Sequence, residues 1–167
     1  DKVRTLESKL VELIGFGEEN DAISAKVHGL AVALVAATDQ ASVVRALYSH
    51  LGGAFAVPHV TLRLWGAGQG GGHEFDAVAD AVKAFAANLH RPYCGTVDGQ
   101  DSTVWFGEAA AHLRSMTQVP LREAGGVCFG LLVMASEEPH RFYPELGTLY
   151  LERIGEMASA ALLRVAG

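Results

Sequence analysis

Cys94 is the residue in this sequence with the strongest case for chemistry of its own. It lies close in sequence to His90 and Arg91. Cationic neighbours lower the pKa of a thiol and make it a better nucleophile for catalytic or redox chemistry. The other cysteine, Cys128, lies in an apolar run, where cysteine usually acts as a small hydrophobic residue. A lone cysteine is a weak motif, so we expect Cys94 to be structural or to line a ligand site, and to be alkylated faster than Cys128.

Arg63 and Trp65 form a second candidate group. Apolar and polar side chains alternate along residues 59–65, which predicts a β-strand with Thr61, Arg63 and Trp65 on one face. A guanidinium beside an indole suits an anionic or aromatic small molecule. The alternative is an internal ion pair that closes the site, with a carboxylate from Asp98, Asp101 or Glu108. Both alternatives stay open, because a buried arginine is almost always paired.

Motifs for cofactors, metals and hydrolysis are weak or missing. Residues 66–71 fit GxGxxG, but no second strand ending in an acidic residue follows, so a flexible connection is the better interpretation. The seven histidines form no HxH or HxxxH pair and no ligand set with cysteine or acidic residues. The sequence has neither a P-loop nor a serine nucleophile elbow. We therefore predict no metal site and no hydrolase or NTPase chemistry.

The elements that must position these residues are helices and strands in mixed order. A heptad-like apolar stripe over residues 3–37 predicts a long helix with a bend or break near 17–21, and it favours pairing with a second helix over folding back on the chain's own core. Residues 91–95 are expected to form a turn around Cys94, because Pro92 ends the preceding helix. The other predicted helices are 41–51, a helix capped by Asp76, and 144–164 starting at Pro144, and the predicted strands are 59–65, 113–121 and 127–136. This order indicates an α+β layer fold.

Composition and charge narrow the class of protein. The chain has 167 residues, half of them hydrophobic, which fits one domain with a substantial core. Thirteen basic and nineteen acidic residues give a formal net charge of −6, which argues against nucleic acid or an anionic membrane as the main partner. No apolar run is long enough to span a bilayer, no signal peptide is visible, and two lone cysteines are most simply reduced thiols. We expect a cytoplasmic protein with no membrane partner.

Several short blocks of the sequence resemble a known family. The most specific blocks are Pro92, Tyr93, Cys94 and Gly95, and Pro139, His140, Arg141 and Phe142; further blocks lie at 6–20, 57–65 and 106–110. On these residues the whole chain is similar to an uncharacterised bacterial family, domain of unknown function 484, and the segment from Ser115 onward looks like the end of a GAF domain. The resemblance implies a GAF-like (PAS/GAF) central antiparallel sheet with the N- and C-terminal helices on one face and a ligand-type pocket on the other. It also implies a homodimer through the helices, and it implies no reaction.

Taken together, the residues and the resemblance predict a non-catalytic sensory or regulatory domain that binds an unidentified small molecule. Residues 1–37 would be a coiled-coil-like dimerisation segment and 38–167 the GAF-like domain, with an unknown protein partner and an unknown cofactor. The expected ligand-binding residues are Arg63, Trp65, Tyr93, Cys94, Trp105 and Ser115. One alternative is a thiol enzyme of the free methionine sulfoxide reductase type using Cys94, as in some GAF-like proteins with pocket cysteines. The other is a dimerisation scaffold whose pocket is filled by its own side chains.

Overall fold

The computed structural model describes residues 2–66, 68, 70–144 and 148–166, and the side chains of all of these except 9–20. The helices are α1 (Lys2–Ala36), α2 (Gln40–Gly52), α3 (Asp80–Asn88) and α4 (Leu149–Val165), and the strands are β1 (His59–Leu64), β2 (Tyr93–Thr96), β3 (Ser115–Arg122) and β4 (Cys128–Ser136). A short 3-10 turn spans His73–Phe75, and a longer 3-10 segment spans Asp101–His112. We call the longer one the cover segment, because its side chains pack on the sheet.

The four strands form one antiparallel sheet in the order β1-β4-β3-β2. Thr61, Val133, Gln118 and Tyr93 are paired in turn across it, so their side chains form one row on one face. Adjacent rows alternate between the two faces, because successive residues of a strand point to opposite sides. The strands predicted at 59–65, 113–121 and 127–136 are confirmed, and β4 is central as expected.

Helices α1, α2 and α4 cover one face of this sheet. Their shared core contains Leu30, Leu34, Val43, Leu47, Leu62, Val119, Leu132, Met134, Ile154 and Leu162. At Gly155, α4 comes so close to β3 that a Cβ atom would lie 2.6 Å from Cγ1 of Val119. The terminal helices therefore share a face, as predicted. We call this side the helical face.

The other face, which we call the cover face, is packed by α3 and the cover segment. Its buried apolar residues are Val82, Ala86, Leu113, Met116, Leu131, Val133 and Ala135, with Trp105 and Phe106 packed against them. Gly107 divides the cover segment, since its φ of 61° and ψ of −129° interrupt the helical backbone. Because side chains at such a φ are strained, glycine suits this position.

Helix α1 is continuous where the sequence indicated a bend or break at residues 17–21. Its 35 residues correspond to about 52 Å at ~1.5 Å per residue. Of the predicted apolar stripe, Leu34 is buried in the chain's own core, whereas Leu6 is 66% exposed. The stripe residues Leu10, Leu13, Gly17 and Asn20 have side chains outside the described set. The stripe thus divides into a part that packs on the core and a part that is exposed.

Two helix starts differ from the predictions. Helix α3 begins at Asp80 with Ala79 as its N-cap residue and no side-chain cap. The Oδ2 atom of Asp76 instead lies 3.2 Å from Nδ1 of His73 on the surface. Residues 77–79 are not helical, so Asp76 is too far from α3 in sequence to cap it. Helix α4 begins at Leu149 rather than at Pro144, and residues 145–147 lie outside the described part.

The turn predicted at 91–95 was also wrong. Tyr93–Thr96 pairs with β3 and forms the edge strand β2. Pro92 immediately precedes this strand. Proline has no N–H to donate to the sheet, and a position just before the strand does not need one. Cys94 is therefore a strand residue, and its side chain direction is fixed by the sheet.

Candidate functional site

The cover face brings together the polar side chains that the sequence singled out on β1. Thr61 and Arg63 lie on this face, in the rows of Gln118 and Leu131 respectively, as the alternation predicted. Both are buried, at 8% and 7% exposure. The cover segment packs over this end of the sheet through Trp105 and Phe106.

Arg63 is held by neutral acceptors and an aromatic ring. Its Nη1 atom donates to Oγ1 of Thr61 at 2.8 Å and to the carbonyl oxygen of Leu62 at 2.9 Å. The guanidinium carbon lies 5.0 Å from the ring centre of Trp105, a cation–π distance. The predicted alternative of an ion pair with Asp98, Asp101 or Glu108 does not form, since the ion pairs found among the described residues join other side chains.

Tyr48 and Glu74 close the outer edge of β1 beside this arginine. The Tyr48 hydroxyl donates to Oε1 of Glu74 at 2.9 Å and receives a hydrogen bond from the backbone of Leu62. Burial, followed by the Glu74 hydrogen bond, raises the pKa of Tyr48 well above its usual value. Tyr48 and Arg63 thus satisfy main-chain groups of Leu62 that the edge strand leaves without a ladder partner.

A second polar group lies under the other end of the cover segment. Gln118 is 1% exposed, its Oε1 atom accepts from the hydroxyl of Ser102 at 2.8 Å, and its Nε2 atom donates to Oε1 of Gln100 at 2.8 Å. These three residues border a cavity of about 220 Å³ between α3, the cover segment and β3. Its apolar wall consists of Ala81, Val82 and Phe85.

Cys94 and Ser115 lie on the helical face, opposite Arg63. Cys94 is paired with Thr117, two positions from Ser115 on β3, and its Sγ atom lies 3.4 Å from Oγ1 of Thr117. Burial raises the pKa of the Cys94 thiol, and the hydrogen bond to Thr117 offsets only part of that rise. The Ser115 hydroxyl donates to the carbonyl oxygen of Glu138 at 2.6 Å and so fixes the turn after β4. Neither side chain borders the cavity at Gln118.

Trp65 and Tyr93 lie on the cover face but are bound to main-chain groups. Trp65 Nε1 donates to the carbonyl oxygen of Cys128 at 3.2 Å. The Tyr93 hydroxyl donates to the carbonyl oxygen of Thr96 at 2.7 Å, and its ring packs edge-on against Phe85. Burial raises the pKa of Tyr93 as well. Of the six predicted residues, Arg63 and Trp105 form a cation–π contact, and Trp65 and Tyr93 pack against the same apolar cluster as Trp105.

Gln118 and Ser102 were not predicted. The signal for Gln118 was present, because a glutamine in the mostly apolar stretch 116–121 has to be buried if that stretch is a central strand. Ser102 gave no such signal, since its role depends on how the cover segment lies over the sheet. Sequence spacing does not encode that placement.

The described residues contain neither of two further kinds of feature, a metal-ligand cluster or a membrane-spanning helix. They contain no group of three or more His, Cys, Asp or Glu side chains placed to hold a metal ion. None of the helices described above combines the length and apolarity that a membrane-spanning segment requires. An open groove of about 680 Å³ runs along α4 on the helical face, with basic residues such as Arg91 and Arg153 beside acidic ones such as Glu123 and Glu156. This mixture indicates no particular ligand charge.

The sheet order and the two-sided covering define an α+β domain of the GAF-like type. The chain belongs to the family described as protein of unknown function, DUF484, whose sequence profile matches residues 1–166. Its fold is similar to the X-ray structure of free methionine-R-sulfoxide reductase from Neisseria meningitidis in complex with its substrate, at 20% sequence identity and a TM-score of 0.59. The similarity covers 87% of this chain and 92% of that chain, and at this identity it shows the fold alone. No curated protein matches the chain.

Proposed function

We propose that this chain is a non-catalytic regulatory domain that binds a small molecule on its cover face and forms a homodimer through α1. The observation that carries the proposal is the cavity of about 220 Å³ with the buried amide of Gln118 at its floor. It lies between the sheet and the cover segment, on the side where the resemblance implies a ligand-type pocket. Pockets for drug-sized ligands measure roughly 300–1,000 Å³, so the ligand in this cavity is a smaller polar molecule.

A hydrogen-bonded connection from this cavity to the helical face supports a regulatory role. The Arg122 side chain caps α3, because its Nη2 atom lies within 3.0 Å of the carbonyl oxygens of Ala86, Ala87 and Leu89. The Arg122 backbone N–H also donates to the hydroxyl of Ser159 on α4 at 3.1 Å. A displacement of α3 by a ligand therefore acts on a residue that is bonded to α4.

The exposed part of α1 supports the homodimer. Val3 and Leu6 in its first turns are 60% and 66% exposed, and Val32 and Val35 near its end are 55% and 75% exposed. Exposed apolar residues along one helix favour pairing with a second helix. Among the described side chains of α1, the two leucines buried in the chain's own core, Leu30 and Leu34, lie close to its C-terminal end, whereas Leu6 in its second turn is exposed. In this proposal residues 1–37 are the dimerisation segment and the remainder is the ligand-binding domain.

The position of the two thiols argues against the alternative enzyme. The reductase named above acts on free methionine sulfoxide, and reduction through cysteines requires a second thiol within reach of the first. Here Cys94 lies on the helical face and Cys128 packs with the cover-face residues. Their partners Thr117 and Arg122 are five positions apart on β3, which places the two Cα atoms about 19 Å apart at ~3.3 Å per residue and ~4.8 Å per strand. A disulfide needs Cα atoms within about 7 Å.

A dimerisation scaffold is the second candidate. It is favoured by the extent to which Trp105, Phe106 and their neighbours already fill the cover face. The two candidates differ in one respect that an experiment resolves, namely whether the cavity at Gln118 admits a ligand.

Native mass spectrometry of the freshly purified full chain, with matched variants of α3, tests the proposal. Ala81 and Ala84 are both exposed alanines of α3, and only Ala81 borders the cavity. We expect a dimer that carries a reproducible small extra mass, which Ala81→Leu removes and Ala84→Leu leaves in place. A dimer without extra mass favours the scaffold, and a monomer contradicts pairing through α1. An extra mass that survives Ala81→Leu at wild-type occupancy contradicts this cavity as the site.

A further inference from the structure

Arg63 is a buried cation without a carboxylate partner in the described part of the chain. Its exposure is 7%, yet its hydrogen bonds go to a hydroxyl and a carbonyl oxygen. Charged residues are seldom buried this deeply unless they are paired. Glu74, a carboxylate beside the same strand edge, accepts a hydrogen bond from the Tyr48 hydroxyl instead. The positive charge of Arg63 is therefore not neutralised by a direct ion pair.

Part of the guanidinium is also unused. A guanidinium has five N–H donors, and both hydrogen bonds of Arg63 come from Nη1. Among the described residues, the one fully buried side-chain polar atom without a partner is Oγ1 of Thr103. The Nε and Nη2 atoms of Arg63 are not in this class, so the edge that carries them keeps a small area of contact with solvent, whereas the flat face of the group lies against Trp105. An open edge with two parallel N–H donors is the geometry that binds an oxyanion in a bidentate manner.

We infer that Arg63 and Trp105 form a binding site for a small oxyanion, the carboxylate or phosphate group of a ligand. The open edge of Arg63 donates to two oxygen atoms, and the Trp105 ring shields the guanidinium face from water. Thr61 and Leu62 hold Nη1 in place, so the fork is oriented before the ligand arrives. The inference rests on the proposed function only in placing a ligand on the cover face. Arg63 and Gln118 lie two strands and two residues apart, about 12 Å between Cα atoms at the usual strand spacings, so one ligand or two can occupy them.

The test uses the full chain labelled with 5-fluorotryptophan, whose two tryptophans give two ¹⁹F resonances. Trp65→Phe assigns them. The probes are benzoate, inorganic phosphate and, as an uncharged match for benzoate, benzamide, all at constant ionic strength. We expect a saturable shift of the Trp105 resonance with benzoate or phosphate and none with benzamide. Saturation by benzoate alone identifies an aryl carboxylate, and saturation by phosphate alone identifies a phosphate group.

Variants of Arg63 then locate the anion. We expect Arg63→Gln to raise the dissociation constant roughly tenfold or more, since one charge-assisted hydrogen bond is worth about 1.5–3 kcal/mol. Arg63→Lys retains the charge without the fork and should give an intermediate constant, whereas Arg45→Gln, at an exposed position of α2, should give the wild-type constant. Equal binding by the Arg63→Gln protein, or an equal response to benzamide, overturns the inference.

A second variant keeps the test decisive if the Arg63 variants fail to fold. Glu74→Gln removes the carboxylate that is bonded to Tyr48, and Tyr48 interacts electrostatically with Arg63, so the change should lower the dissociation constant of the anion about threefold or more. Unchanged or weaker binding by this variant overturns the inference. Failure of the anion-binding test can be distinguished from failure of the proposed function. The proposed function is tested by the extra mass that Ala81→Leu removes, and that mass is measured without any added anion.

Discussion

Gly155 is the position where a single methyl group has the clearest consequence. It lies inside α4 and is buried, and a Cβ atom there would come within 2.6 Å of Cγ1 of Val119 and 3.6 Å of the carbonyl oxygen of Pro120. Heavy atoms at 2.6 Å overlap, so α4 or Val119 has to move. Val119 is 1% exposed and belongs to a paired strand, which restricts its movement. Gly155→Ala is therefore an overpacking change at the junction of α4 with the sheet.

The expected magnitude combines two opposing effects. Alanine gains about 1 kcal/mol over glycine in helix propensity, and overpacking a filled core costs about 1–3 kcal/mol. With the upper end of that cost, Gly155→Ala lowers the free energy of unfolding by about 1–2 kcal/mol. Gly29 on α1 is the matched control, because its Cβ would meet His50 at an ordinary 3.9 Å. Gly29→Ala should raise the free energy of unfolding by about 1 kcal/mol.

The assay is urea unfolding together with thermal melting, at one protein concentration because self-association makes stability depend on it. At about 2–4 °C per kcal/mol for this chain length, Gly155→Ala should lower Tm by about 2–8 °C and Gly29→Ala should raise it by about 2–4 °C. Adding Val119→Ala removes the overlapping Cγ1 atom, so the double variant should be more stable than additivity predicts by about 1–2 kcal/mol. Additive effects, or a Gly155→Ala protein as stable as the wild type, would refute the close-contact reasoning.

Two further predictions concern titratable groups. Burial raises the pKa of both thiols, so iodoacetamide should label both slowly at neutral pH, with Cys94 no faster than Cys128, and both rapidly in urea. This reverses the order expected from the neighbours of Cys94 in sequence, and fast selective labelling of folded Cys94 would contradict its burial. Tyr48 has a folded-state pKa raised above its usual 10.0, so the stability it contributes is present below that pH and is lost as the pH rises above it. Between about pH 9 and about pH 11, Tyr48→Phe should lose less free energy of unfolding than the wild type, whereas Tyr143→Phe, at a 40% exposed position, should follow the wild type; equal losses in all three proteins would count against the Tyr48 assignment.

The parts of the fold that were predictable are those with a strong local pattern. Alternation identified β1, and a nearly continuous apolar run identified β4. Strand β2 was missed because its four residues contain a glycine and follow a proline, so its own sequence favours a turn. What makes it a strand is its pairing with β3, a contact between distant residues. The start of α3 was misplaced for a related reason, since Asp76 is a good capping residue in a segment that does not continue as a helix.

In the candidate site, too, only the features that follow from a regular strand pattern were predictable. The face of Arg63 followed from the period of its strand, but its neighbours did not, because Trp105 reaches it from a segment that has no regular pattern. An acidic partner for Arg63 was one of the two alternatives left open, and it followed from the rule that buried charges are paired. The structure instead surrounds Arg63 with neutral acceptors and an aromatic ring. That departure from the rule is what makes Arg63 the more informative candidate for ligand binding.

The cover segment connects the two candidate regions of the cover face. Ser102 bonds to Gln118 at one end of it, and Trp105, three residues later, stacks on Arg63. A short segment cannot move one of these residues far without moving the other, because three residues span at most about 10 Å of chain. We therefore expect an anion that shifts Trp105 also to change the hydrogen bond between Ser102 and Gln118. These two residues line the same cavity as the side chains of α3. In the proposed function both regions would therefore act on the same helix, α3. Its C-terminal carbonyl groups accept hydrogen bonds from the Arg122 side chain, and the Arg122 backbone N–H donates to Ser159 on α4.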